Sequence, residues 1–189
     1  MYVLHLDLTT DATRDSILKQ LKDALGEEVA DVEAIANNAD LPDHYQYSTL
    51  ADISEAIDNL DGVTSRAKGD MLGVYRILAE AEGRVHGCSK DEVHFHEVGS
   101  AESVNMTLEI CISFRVLALQ TITATPVQLG SGQVQTAHGL LDIPTPATSE
   151  ILRAHKVPVC EKRLEGELCT PTSAAIIAYF VDEFDKEGK

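Results

Sequence analysis

Between Asp61-Gly62 and Gly87 the residues Ala67, Met71, Val74, Ile77, Leu78, Ala81 and Val85 recur at helical spacing. This is the longest periodic stretch in the chain, and it predicts a long helix with one buried apolar stripe. The helix is expected to stop at His86-Gly87. Glycine can reverse the chain there, and a histidine in the last turn suits the negative end of the helix dipole. Gly69, Gly73 and Gly83 each weaken such a helix by roughly 1 kcal/mol relative to alanine, which points to neighbours that need close backbone contact.

The remaining elements are shorter. Tyr2 to Leu8 alternates like a strand; Thr10 or Asp11 then caps a helix to Leu25, with Gly26 as its stop. Val29 to Ile35 reads as a second strand, so residues 1–36 form an opening strand–helix–strand unit. A polar connector containing Pro42 follows. Thr49-x-x-Asp52 resembles a capping box for a helix ending near Asn59. Residues 104–112 fit a strand and a helix equally well. Gln120 to Leu129 reads as a strand interrupted by Pro126, and Val157 to Glu161 as a shorter one. Thr145-Pro146 and Thr170-Pro171 each start a helix, because proline belongs at the first helical position. The charged tail after Glu183 is expected to fray. The pattern indicates a mixed αβ (α+β) class: a single compact domain over residues 1–189, with short strands and about five helices. Residues 48–185 carry the motifs.

The chain has 31 acidic and 15 basic residues, a formal charge of -16. Such a field repels phosphate backbones, so nucleic acid is not an expected partner. No apolar run approaches the roughly 18 residues that span a bilayer, and the start lacks a signal-peptide pattern. The four cysteines are widely spaced and form neither a zinc ribbon nor a disulfide framework. A cytoplasmic protein with reduced thiols is the expectation.

The chemistry concentrates in His94-Phe95-His96-Glu97-Val98-Gly99. In an extended segment side chains alternate, so His94 and His96 share one face and Phe95 takes the other. Paired imidazoles suit a borderline ion such as nickel or zinc, with Glu97 as an oxygen ligand or a base. The competing reading is two surface histidines ahead of a helix. Asp7, at a strand end beside a helix start, sits where metal or phosphate chemistry is common, and where ordinary loop residues are common too. Gly130-Ser131-Gly132 lacks the lysine of a phosphate loop but could form a backbone anion nest. After Thr170-Pro171 the side chains are small, so the helix start is open to a phosphate or carboxylate. Cys169 precedes that start, where a thiolate would be stabilised.

Four segments, taken together and in order, resemble the LarC-type nickel-insertion proteins, which complete a nickel-pincer nucleotide cofactor. They are Ile77 to Glu82 with Val85-His86-Gly87; the hexapeptide; Leu129 to Gly132 with His138-Gly139 and Pro144 to Thr148; and Gly166 to Thr172. The resemblance implies nickel insertion into a pyridinium bis-thiocarboxylate mononucleotide, coupled in the family to CTP with a divalent cation. It implies that His94, His96 and Glu97 hold or deliver the metal, with His96 and Glu97 in the catalytic role. Asp7, Asp15 and His138 would be further ligands. Gly130, Ser131, Gly132, Thr170 and Thr172 would cradle the nucleotide's phosphate. It also favours a helix after Ser100.

The chain departs from the family in places. The family's first turn is rich in glycine and serine, whereas Arg14 stands before Asp15 here and would obstruct a close backbone approach. Glu102 and Asn105 replace two aspartates, and the connector around His44 lacks the family's histidine-rich tract. The C-terminal portion associated with CTP has no counterpart, so the expectation is either the first part of a split system, completed by a separate C-terminal partner polypeptide, or a trimmed relative. The alternatives are a non-catalytic metal- or nucleotide-binding relative, and an unrelated His-x-His metal hydrolase. Whether the chain forms a homo-oligomer is left open.

Overall fold

The computed structural model describes residues 3–39, 41 and 46–185. Tyr2, Pro42 and His44 lie outside these residues. Strand β1 (Val3–Leu6) leads to helix α1 (Arg14–Leu25), which starts later than Thr10 or Asp11. Thr13 is its cap, its hydroxyl accepting the Ser16 N–H, while the Asp11 carboxylate is occupied by the Thr13 N–H. Ile17, Leu21 and Leu25 are buried, and Gly26 ends the helix with φ of +59°.

Val29–Asn38 is helix α2, not the second strand, so the opening unit is strand–helix–helix. Val29, Val32 and Ala36 are spaced for one helical face, but so short a run holds too few apolar positions to separate the two periods. Helix α3 (Leu50–Asp58) opens with the reciprocal Thr49/Asp52 capping box.

Helix α4 (Ser65–His86) follows, ending at Gly87 in the left-handed conformation. Ala67, Met71, Val74, Leu78 and Ala81 are buried as the stripe requires, and Tyr75 and Ala79 widen it. Val85 is exposed, for a reason that lies in the site. A Cβ on Gly73 would sit 2.2 Å from the Tyr179 ring, and one on Gly83 2.8 Å from the Cys88 carbonyl; Gly69 faces open space.

Residues 101–116 form helix α5 (Ala101–Val116), capped by Ser100. It packs against α1, α2 and α4 and is buried on nearly every side. A helix without a polar face carries no clear period, which is why its letters fit a strand as well.

Strand β2 (Thr121–Ala124) precedes a hairpin of β3 (Gln133–Thr136) and β4 (Gly139–Asp142). Helices α6 (Pro146–Ala154) and α7 (Pro171–Phe180) and strand β5 (Glu183–Phe184) complete the chain. The main sheet has the order β1-β2-β5, all parallel, with Val3 opposite Thr121 and Thr123 opposite Glu183. The first residues after Glu183 thus pair instead of fraying, Phe184 in β5 and Asp185 by donating its N–H to the Ala124 carbonyl, while 186–189 lie outside the described residues. Val157 to Glu161 contributes only the bridge between Val127 and Val159.

Helix α4 touches α3, α5, α6 and α7. Its buried Asp70 carboxylate is gripped by Arg115 of α5 and accepts the Tyr179 hydroxyl of α7 at 3.1 Å. Among the described residues the class is mixed αβ with short strands, as expected, and α2 adds to the expected helices. None of these helices is long and apolar enough to cross a membrane.

Candidate functional site

The hexapeptide is held in place by its neighbours, and its second half, Glu97–Gly99, turns as a short 3-10 helix. Residues 46–48 run beside it: Phe95 donates its N–H to the Ser48 carbonyl at 2.7 Å, and Tyr47 donates to the Gly99 carbonyl at 2.9 Å. The Gln46 side-chain amide donates to the His96 carbonyl at 2.7 Å. Phe95 is buried edge-on against Tyr75, with centroids 6.0 Å apart, so His94 and His96 emerge on the opposite face, exposed. That is the alternation expected of an extended segment. Gly99 is needed for proximity, since a Cβ there would lie 2.0 Å from the Tyr47 carbonyl oxygen.

Both imidazoles line a cavity of about 440 Å³. The end of α4 supplies Glu82, Val85 and His86 to its wall, and the hairpin supplies Thr136, His138 and Leu141. His138 occupies the two-residue turn between β3 and β4, and Glu97 accepts the neighbouring Ala137 N–H at 2.7 Å. That bond ties the hairpin tip to the hexapeptide. The His138 ring lies 4.9 Å from His96 and 5.0 Å from His86, centroid to centroid. Three imidazoles from three separate elements thus meet. Among the described residues, no three His, Cys, Asp or Glu side chains close around one point as a metal-ion site.

The carboxylates here differ in environment. Burial raises Glu97, but the N–H groups of Ala137 and of Glu97 itself outweigh it and hold the carboxyl below its ordinary value. Glu167 is pushed up by burial and by the Glu97 charge. Glu82 is raised by burial, which outweighs the pull of His86, 3.4 Å away. A raised carboxyl stabilises the fold below its unfolded value and loses that contribution as pH rises through its folded value. Glu82→Gln is therefore expected to melt higher than the parent at pH 7.5, with the gain gone below pH 4.5. Thermal melts at both pH values check this. A variant melting lower at pH 7.5 would show that the His86 contact dominates.

The rest of the lining is of another kind. Arg14, at the start of α1, donates from Nη1 to the Ser103 hydroxyl at 2.8 Å, and both residues face the cavity. Thr145, Pro146 and Ala147 bring the start of α6 to the wall, and Thr170, Pro171 and Thr172 the start of α7. Thr170 forms a capping box with Ser173. Thr172 as a residue is 3% exposed, and among the described residues its hydroxyl has no hydrogen-bond partner.

His94, His96, Glu97, His138, Thr170 and Thr172 thus share one cavity. The other proposed site residues are not in its lining. Asp7 accepts both the N–H and the hydroxyl of Thr9, bonds that lower its carboxyl, and Asp15 is exposed at the start of α1. At Gly130-Ser131-Gly132, Ser131 and Gly166 exchange backbone hydrogen bonds of 3.1 and 3.0 Å, and the Ser131 hydroxyl donates to the Leu164 carbonyl. The Ser131 donors are thus taken up within the protein. Cys169 is buried and its thiol is pushed up to about 12, so burial overrides the helix start and the group stays protonated. Glu82, His86, Arg14 and Glu167 belong to the wall although the sequence reading assigned them no site. Glu82 and His86 lie four apart on one helix face, which was the available signal.

The family model described as nickel insertion protein matches residues 7–188. A protein of Clostridium kluyveri named pyridinium-3,5-bisthiocarboxylic acid mononucleotide nickel insertion protein is 42% identical over 71% of this chain and 33% of its own length. Proteins of the same name from Desulfitobacterium hafniense and Staphylococcus epidermidis are 38% and 33% identical, over 71% and 81% of the chain and 33% and 38% of their own lengths. The chain thus spans about a third of the length of the curated relatives it matches. No solved structure matches it. With nearly its whole length inside the family model, the chain belongs to the nickel insertion protein family.

Proposed function

We propose that this chain holds a pyridinium mononucleotide in the cavity and brings nickel to it. The observation that carries the reading is the meeting of His86, His96 and His138, from three elements, on the wall that also presents Arg14 and the starts of α6 and α7. Neutral imidazoles suit divalent nickel, and the nearby Glu82 and Glu97 carboxylates offset its charge. His94 stands at the rim as a further ligand. Nickel is cargo here, so its ligands must release it to softer sulfur donors; imidazoles that do not enclose an ion favour moderate affinity and exchange. The nucleotide's phosphate is assigned to Thr170 and Thr172 at the start of α7. In this reading Asp7, Asp15 and Gly130 to Gly132 serve the fold. CTP and its divalent cation are handled by a C-terminal partner polypeptide.

Calorimetric titration of nickel chloride at pH 7.5 tests the metal half. One site of about micromolar affinity is expected, weakened about tenfold or more in the His94→Ala, His96→Ala double variant. An unchanged isotherm in that variant would remove the hexapeptide from the ligand set. Metallation of the bis-thiocarboxylate mononucleotide by the chain with its C-terminal partner and CTP tests the rest; failure there, with both ligands bound, would reduce the chain to a binding module.

A further inference from the structure

We infer that Arg14 is the cation that recognises a phosphomonoester in this cavity, an assignment resting on the reading that a mononucleotide binds there. Arg14 is half-buried in the wall and gives one guanidinium N–H to Ser103. Among the described residues it has no carboxylate at ion-pair distance, although the chain carries 31 acidic residues. It is also the first residue of α1. The positive end of a helix dipole disfavours a cation at that position, so helix stability does not explain the arginine. A bound anion would.

A second, independent feature points to the same ligand. Thr172, a largely buried residue, lines this cavity, and its hydroxyl has no protein partner among the described residues. A guanidinium is a planar fork that can bond two phosphate oxygens at once, and Ser103 fixes one edge of it while leaving other N–H groups to face the ligand. The bulk that made Arg14 look like an obstruction is thus the group that reaches the ligand. Its target is a terminal phosphate on a ribose.

The test titrates nicotinamide mononucleotide, nicotinamide riboside and inorganic phosphate into the parent chain, Arg14→Ala and Arg14→Lys. The parent is expected to prefer the mononucleotide over the riboside by about 10- to 100-fold. Arg14→Ala should bind the two alike, and Arg14→Lys should recover part of the preference, having the charge without the fork. A parent-like preference in Arg14→Ala, no preference in the parent, or inorganic phosphate binding as tightly as the mononucleotide would each overturn the assignment. If Arg14→Ala does not fold, Arg14→Lys decides: a reduced preference supports the assignment and an unchanged one overturns it. Nickel titration of the same parent sample judges the metal reading separately, since its failure would leave the mononucleotide and riboside comparison intact.

Discussion

Gly130→Ala is expected to lower the melting temperature by about 10 °C, the largest loss of stability foreseen for a single methyl group in this chain. The added Cβ would lie 1.6 Å from the Gly166 carbonyl oxygen and 2.7 Å from its carbon. Those are backbone atoms, so no side chain can rotate out of the way. Overpacking of a tight interior costs about 1–3 kcal/mol or more, and in a domain of this size each kcal/mol shifts the melting point by about 2–4 °C. Separating the two segments would also strain the paired hydrogen bonds of Ser131 and Gly166. Gly69→Ala is the internal control. Its Cβ meets nothing, so it should gain up to about 1 kcal/mol from helix propensity alone. Thermal denaturation of both variants decides between packing and ligand binding for Gly130. If Gly130→Ala melted like the parent but lost phosphate binding, the glycine would be part of an anion nest after all.

Nickel affinity is expected to fall about 10- to 100-fold in His86→Ala and in His138→Ala alike, with the double variant losing less than the sum of the two free-energy changes. The rings are 5.0 Å apart and come from the end of α4 and the hairpin tip, so each can serve one ion only while the other element stays in place. The His86 side chain is 42% exposed, so its removal should scarcely alter the melting temperature. Titration of nickel into the four members of this cycle measures the coupling. Parent-like affinity and stoichiometry in His86→Ala would confine the metal to the hexapeptide and exclude the α4 histidine.

These two predictions differ in how far the sequence foresaw them. His138 stood in a recognisable segment, and the alternation of His94, Phe95 and His96 was legible because it depends only on the local backbone of three consecutive residues. His86 looked like an ordinary helix-end histidine, since its dipole contact is local and its neighbours are distant in sequence. Gly130 looked like a place for an anion because two glycines flank a serine; that the Gly166 carbonyl packs against its Cα is visible only in the fold. The place of Arg14 in the cavity wall was hidden for a related reason. Bulk at a turn is visible in a sequence, but the direction of a guanidinium is not.

What the sequence by itself determined are the features whose free energy is local. They include the caps at Thr49, Ser100 and Thr170, the end of α4 at Gly87, the buried stripe from Ala67 to Ala81, and the mixed αβ class. The tertiary structure decided that α2 is a helix and that residues 101–116 are one too, where few apolar positions or burial on all sides erased the period. It also decided which groups share a cavity. Bringing together His86, His96, His138 and Arg14 depends on packing α1, α4, the hexapeptide and a hairpin against one another, and no spacing within any one of those segments encodes it.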